Sequence, residues 1–295
     1  MLKSLFLLAS VGGMAFAEVI ANISHFDCGT NQADHAKEEL IKAHQELGKG
    51  GKGGSHAARA LFDTRQNAQI NVDTYFHVVV TKAKEPQYSN WEQMVQDQLA
   101  VMNTAYKPAN VVFTLKGREL TANDKWAVGA DADMAAMKKE LRKGSYAALN
   151  IYFQSDLAGG ILGVCTMPSS IGSNPTPATY QNDGCNVQAG TLPKGSTLGY
   201  NQGMTAVHET GHWMGLLHTF EGNSCTGDGD MIADTRAESQ STDGCPTDKN
   251  SCPDLPGVDP IHNYMDYSID SCYEGFTDGQ VARMKQLWGQ FRNGK

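Results

Sequence analysis

Positive charge is scarce in this chain of 295 residues: 24 lysines and arginines stand against 32 aspartates and glutamates, a formal net charge of −8. No basic cluster interrupts that balance, so the sequence gives no electrostatic footing for nucleic acid or for an anionic membrane. Long apolar runs are missing too. A membrane-spanning helix needs about 20 apolar residues, and no segment reaches that length. Internal repeats are absent, which excludes solenoid and propeller architectures. Glycine, by contrast, is plentiful. Its 31 residues, added to the 40% that are hydrophobic, give a globular composition weighted towards loops.

The first 17 residues read as a signal peptide: Lys3, the apolar LFLLASVGGM, and the small-residue site Ala15-Phe16-Ala17 before Glu18. The protein is therefore expected outside the cell, with its cysteines in an oxidising environment. Residues 18–65 read as a propeptide. They hold one amphipathic helix, ADHAKEELIKAHQEL, and then GKGGKGGS at 48–55, a flexible tether of the kind that proteases cut. Arg59 and Arg65 are candidate cut sites, and the N-x-[ST] acceptor Asn22-Ile23-Ser24 lies on the side that would be lost.

Residues 66–295 read as one α+β domain. INVDTYFHVVV, NVVFTLKGREL and ALNIYFQSDL suit strands, and SNWEQMVQDQLAVMNTAY suits a helix capped by Ser89. ILGVCTMP, stopped by Pro168, suits an edge strand, and an exposed edge can bind an extended peptide by strand addition. Glycine, serine and proline then dominate to about Gly199. The stretch 219–295 is loop-rich and closes with the amphipathic helix TDGQVARMKQLWGQFR, capped by Thr277.

Between these halves lies HETGHWMGLLH, from His208 to His218. On a helix that stops at Gly215, His208 and His212 lie one turn apart on the same face. Gly215 can take the positive φ that turns the chain and brings in His218. Three imidazoles then surround one zinc ion, and Glu209 stands where a carboxylate can deprotonate a water. The five-residue core of the motif also fits an ordinary surface helix. The added glycine, the third histidine and the apolar MTAV and LL around them argue against that, because buried imidazoles without a metal are costly. Met265, 47 residues after His218 (265 − 218), stands at the distance of a methionine turn beneath the histidines. The remaining histidines, such as His77 and His262, show no ligand spacing.

Seven cysteines leave one over. Cys165 and Cys185 lie together in one loop and form a natural pair. Cys225, Cys245, Cys252 and Cys272 allow three connectivities. Cys28 remains, in the propeptide. A thiolate is a strong zinc ligand, so Cys28 is a candidate lock on the open position of the metal, keeping a proenzyme latent.

The strings HETGHWMGLLHTF, GDMIADT, GCP, NYMDYSIDSC and FTDGQVARM resemble the pappalysin-type metzincins, and above all the secreted extracellular metalloproteases of fungi. The resemblance implies a metzincin-type zincin domain with a twisted mixed sheet, an active-site helix and a loop-rich C-terminal subdomain, its zinc-binding half ending at 218 and its Met-turn half covering 219–295. It implies zinc on His208, His212 and His218, Glu209 as general base, and Tyr267 as a switchable ligand or transition-state donor. Cys225 would pair with Cys252 and Cys245 with Cys272. Structural calcium would involve Asp230, Asp234 and Thr235, next to Arg236 where relatives often carry proline. The string Cys28-Gly29-Thr30 is similar to the cysteine-switch element of the family's proforms.

The expectation is thus a secreted zinc endopeptidase, monomeric, acting on protein or peptide substrates, with neither nucleic acid nor membrane as partner. Asp270 could line the pocket beyond the scissile bond and favour Arg or Lys there. Two alternatives stand beside this reading: a processing protease of narrow specificity, and a non-catalytic zinc-binding adhesion protein, which should have lost Glu209 or a histidine.

Overall fold

The computed structural model describes residues 26–30 and 68–295. The signal peptide and, apart from 26–30, the propeptide with its helix, linker, sequon and cut sites lie outside the described residues. Five strands form one sheet: β1 (Ile70–Val80), β2 (Val111–Ala122), β3 (Leu149–Gln154), β4 (Gly163–Cys165) and β5 (Cys185–Gln188). Their order is β2-β1-β3-β5-β4. All neighbours run parallel except β4, which pairs antiparallel with β5 and forms one edge. Parallel strands covered on both faces read as continuous apolar runs, and every residue of LNIYFQ in β3 is buried.

Side-chain alternation divides the core between the two faces of the sheet. Ile70, Val72, Phe76, Val78, Ile151 and Phe153 pack with helices α1 (Trp91–Tyr106) and α5 (Met204–Trp213). Val79 and Tyr152 point the other way, onto Ala127 of α2 (Asp124–Val128) and Met137 and Leu141 of α3 (Asp131–Leu141). The result is an α+β fold with a mixed sheet, in which α5 lies beside the edge strand β4.

Several elements depart from the sequence reading. Ser89 does not cap α1; it closes a preceding 3-10 turn, Glu85–Tyr88, and the helix starts after Asn90 with no side-chain cap. Only three residues of ILGVCTMP are strand. The following stretch, read as loop, contains β5 and the short helix α4 (Pro177–Tyr180). Helices α2 and α3 were not anticipated.

The part from 219 onward is built of loops, a 3-10 turn at Asp270–Cys272, helix α6 (Asp278–Leu287) and a π-helical turn at Trp288–Arg292. Thr277 caps α6 in a reciprocal box: its Oγ1 accepts from Gln280 N at 3.1 Å, and its own N donates to Gln280 Oε1 at 2.8 Å. Disulfides join Cys225 to Cys252 and Cys245 to Cys272 across these loops, and Cys165 on β4 to Cys185 on β5. Arg236 binds the carbonyls of Cys252, Leu255 and Pro256 and the side chains of Asn250 and Asp259 at 2.7–3.0 Å. Beyond α6, the fully buried Arg292 stacks on Trp213, donates to its carbonyl at 3.1 Å, and forms an ion pair with Asp183 at 3.0 Å. It thereby fastens the end of α5.

Candidate metal centre

From Thr205 to Trp213 every residue of α5 is buried. His208 and His212, one turn apart, bring their Nε2 atoms to 3.1 Å. The helix ends at Met214, and Gly215, at φ +98°, reverses the chain. A side chain at Gly215 would be strained at that angle and would strike Leu287. The turn returns His218 Nε2 to 3.1 Å from His212 Nε2.

Backbone carbonyls set the tautomers from behind. His208 Nδ1–H donates to Tyr264 O at 2.7 Å, and His212 Nδ1–H to Leu216 O at 2.9 Å. With those protons on Nδ1, the two Nε2 atoms face each other with lone pairs, which repel. Burial pushes His212 down to about 4 and holds His208 and His218 well below the ordinary histidine value. All three are thus neutral at physiological pH, the form that ligates metals. A cation among them removes the repulsion, and 3.1 Å is close to the roughly 3.3 Å edge of a tetrahedron with zinc–nitrogen bonds of about 2.0–2.1 Å. The donor set fits zinc.

Met265 is fully buried, with its sulfur against Gly211 of α5. The residue before it supplies the carbonyl that holds His208. Its own carbonyl accepts from Thr219 N at 3.2 Å, just after the third histidine. Glu209 is also fully buried. Burial lifts its carboxyl to about 8, and Oε1 has no hydrogen-bond partner among the described residues. Room for this carboxylate comes from Gly163 on the edge strand, where a Cβ would collide with it. The Tyr267 ring lies 5.1 Å from that of His218. Burial raises its phenol far above the usual range, so it stays a hydrogen-bond donor.

Residues 26–30 lie in this cleft. Their burial alternates, with Phe26, Cys28 and Thr30 inward and Asp27 and Gly29 less buried, the period of an extended strand. Cys28 bridges Gly163 in parallel sense, with Leu162 N donating to Asp27 O and Gly29 N to Gly163 O, both at 2.8 Å. The Cys28 sulfur and one nitrogen from each of His208, His212 and His218 all lie within 4.8 Å of one another. Burial, then the nearby Glu209, pushes the thiol well above its ordinary range. Tyr267 Oη accepts from Cys28 N at 3.1 Å and donates to Cys28 O at 3.3 Å. Thr30 Oγ1 donates to Glu209 Oε2 at 3.2 Å and accepts from Cys165 N at 2.9 Å.

The other expected residues scatter. Asp230 and Thr235 line a cavity of about 340 Å³ in the 219–238 loop, and among the described residues Asp230 Oδ2 and Thr235 Oγ1 are buried without hydrogen-bond partners. Asp234 is exposed and holds the start of α6, accepting from Thr277 Oγ1 and Gly279 N at 2.8 Å. Asp270 is buried, its Oδ2 accepting from Gln202 N at 2.7 Å and Met204 N at 3.4 Å at the start of α5. Cys245 and Cys272 come close to His262, but their sulfurs are joined in a disulfide and offer no thiolate. Sequence reasoning passed over Phe26, Gly163 and the Asp183–Arg292 pair. Thr30 stood in a quoted string but was given no role. None of these has a local motif, because each acts through a partner more than 40 positions away.

The profile of the pregnancy-associated plasma protein-A peptidases matches residues 135–288. An extracellular metalloprotease of Neurospora crassa is 44% identical over 291 residues, covering 99% of this chain and 98% of that one. Another, of Pyricularia oryzae, is 47% identical over 272 residues, 92% of each. Among solved structures, mature mirolysin of Tannerella forsythia in complex with a cleaved peptide aligns with a TM-score of 0.57 and 25% identity, covering 75% of this chain and 92% of that one. A second mirolysin structure reaches a TM-score of 0.62 at 24% identity, over 77% and 94% of the two chains. With that profile and these near full-length relatives, the chain belongs to the pregnancy-associated plasma protein-A family of peptidases and is a secreted metalloprotease.

Proposed function

We propose that the chain is a zinc endopeptidase made in latent form, with zinc on His208, His212 and His218 and Glu209 as general base. The observation that carries this is the pair of facing, carbonyl-locked Nε2 atoms at 3.1 Å beside the buried carboxyl of Glu209, one oxygen of which has no hydrogen-bond partner among the described residues. Bound there, zinc would lower the pKa of a water and polarise a peptide carbonyl. Glu209 takes the proton of the attacking water and passes it to the leaving amine. Tyr267 donates to the oxygen of the carbonyl under attack; its hydroxyl already donates to a backbone carbonyl in this cleft, that of Cys28. Met265 supports the histidines from below. The substrates are proteins or peptides, met by a monomer outside the cell. Casein hydrolysis tests the reading: it should vanish with a chelator and in Glu209→Ala, and equal background in all three samples would sink it.

Residues 18–65 act as a propeptide in this account, joined to the catalytic domain at 66–295, and Cys28 is its lock. Support comes from the sulfur's position at the histidines and from Thr30 on Glu209, which together engage the metal position and the base. Full-length Cys28→Ala should hydrolyse casein before any processing. A fully latent variant would rule Cys28 out as the lock. Calcium is proposed for the 219–238 loop, on Asp230 and Thr235, with Asp234 of the same loop beside them, bound to the start of α6. Added calcium should then raise the melting temperature of the zinc-loaded protein, and no shift would remove the proposal.

A further inference from the structure

The sulfurs of the three disulfides sit in different surroundings. Cys165 and Cys185 are both buried, and Cys185 Sγ lies 3.6 Å from the carbonyl oxygen of Glu209. Cys225 Sγ lies 3.4 Å from the carbonyl oxygen of Ser251, and its partner Cys252 is fully buried. A carbonyl oxygen repels the negative charge that a sulfur gains when its bridge opens. The third bridge offers something else on each side. Cys245 is exposed, whereas Cys272 is buried. Beside the buried sulfur stands the half-exposed His262, with Nδ1 3.6 Å from Cys272 Sγ. That nitrogen also lies 2.5 Å from Cys272 O and 3.9 Å from Glu274 Oε1. Three acceptors keep a hydrogen on Nδ1, so the N–H points at the residue that carries the sulfur.

We infer that Cys245–Cys272 is an exchangeable disulfide, opened by a small thiol that bonds to Cys245 while His262 holds the departing Cys272 sulfur. The thiolate of a glutathione-type compound attacks Cys245 Sγ, on the exposed residue of the pair. A bond forms between the incoming sulfur and Cys245 Sγ as the Cys245–Cys272 bond breaks, and the electron pair leaves on Cys272 Sγ. The thiol is the only co-reactant. Exchange speeds up as the departing thiolate is stabilised. His262 Nδ1–H is already within reach of Cys272 Sγ, and a full charge on that sulfur turns the contact into a charge-assisted hydrogen bond. One such bond is worth about 10–100-fold in rate. When the thiol is removed, Cys272 attacks the mixed disulfide, expels the thiol and closes the bridge again. The loop that this bridge closes, 245–272, contains Met265 and Tyr267. The bridge therefore links the floor of the histidine centre to the thiol content of the medium, independently of the lock at Cys28.

Peptide mapping by mass spectrometry tests this on the folded, full-length protein. The chain is incubated with reduced glutathione, sampled over time and quenched with N-ethylmaleimide. The expected first product carries glutathione on Cys245 and maleimide on Cys272, with the other two bridges intact. Earlier opening of Cys165–Cys185 or Cys225–Cys252, or glutathione on Cys272 instead, overturns the inference. His262→Ala should slow the opening of Cys245–Cys272 by about 10–100-fold relative to that of Cys225–Cys252 in the same sample. Misfolding would expose both bridges and speed them together, so it cannot imitate that result. His262→Asn, which keeps an N–H close to the place of Nδ1, should restore most of the rate. An unchanged ratio in His262→Ala would overturn the role given to His262. Protein opened by glutathione should also melt at a lower temperature than the closed form and recover when the thiol is dialysed away. A melting temperature that does not move would overturn the link to the Met265 loop.

Discussion

Tyr267 lies 239 positions from the backbone it touches at Cys28, and its neighbours identify it better than its place in the sequence does. A phenol that donates to a carbonyl in the cleft and stays protonated suits stabilisation of a developing oxyanion. Replacing Tyr267 by Phe should lower kcat by about 10²–10³-fold, with KM little changed and zinc content intact by atomic absorption. An unchanged kcat would return Tyr267 to a packing role. At this scale the convergence of three histidines was legible in the sequence, because its geometry is local: two histidines one helical turn apart, a reversing glycine and a third histidine. Thr30 and Gly163 were not legible. A threonine in a short polar string and a glycine in an apolar one look ordinary until Glu209 is placed between them.

Among the elements, the longest strands and helices could be read because their own periodicity defines them. Strand β5 could not. CNVQ is four residues long and becomes a strand only by pairing with β3 on one side and β4 on the other. Helix α1 was found but its start was misplaced, since the preceding 3-10 turn absorbs Ser89. The end of α5 depends on Asp183, which accepts from Trp213 Nε1 at 3.0 Å and forms ion pairs with Arg142 and Arg292. Burial opposes charge on this carboxyl, but the two arginines, led by Arg292, hold its pKa below the ordinary 3.8. A depressed pKa contributes stability that is fully present above 3.8 and is lost as pH falls through the lower, folded-state value. Asp183→Asn leaves two buried guanidiniums without their anion and should cost about 3–5 kcal/mol. Urea denaturation should show that loss at pH 7 and a smaller loss at pH 3. An equal loss at both pH values would mean that the charge is not what matters.

One place in the molecule gathers several groups that burial disfavours: three desolvated imidazoles, a buried carboxyl and a buried thiol. A metal that binds only the folded state offsets that cost by mass action, about 4 kcal/mol when free metal exceeds Kd by 1,000-fold. Removing it with a chelator should lower the melting temperature by several degrees as well as stop hydrolysis, and added zinc should restore both. A melting temperature that ignores the chelator would place the histidines outside the metal's coordination. The two disulfides of the C-terminal loops each span 27 positions, and such a cross-link is worth roughly 3–4 kcal/mol by chain entropy. That stiffening suits a region with few regular elements to hold Met265 beneath α5.

The clamp that Arg292 puts on α5 also sets a timetable. A chain is synthesised from its N-terminus, and the partner of Trp213 comes 79 positions later, a delay of roughly 4–16 s at about 5–20 residues per second. Phe26, Cys28 and Thr30 are made long before either. The strand that fills the cleft is therefore waiting when the helix forms, and the helix receives its last fastening only afterwards. The occupant of the cleft is thus made before the walls that enclose it.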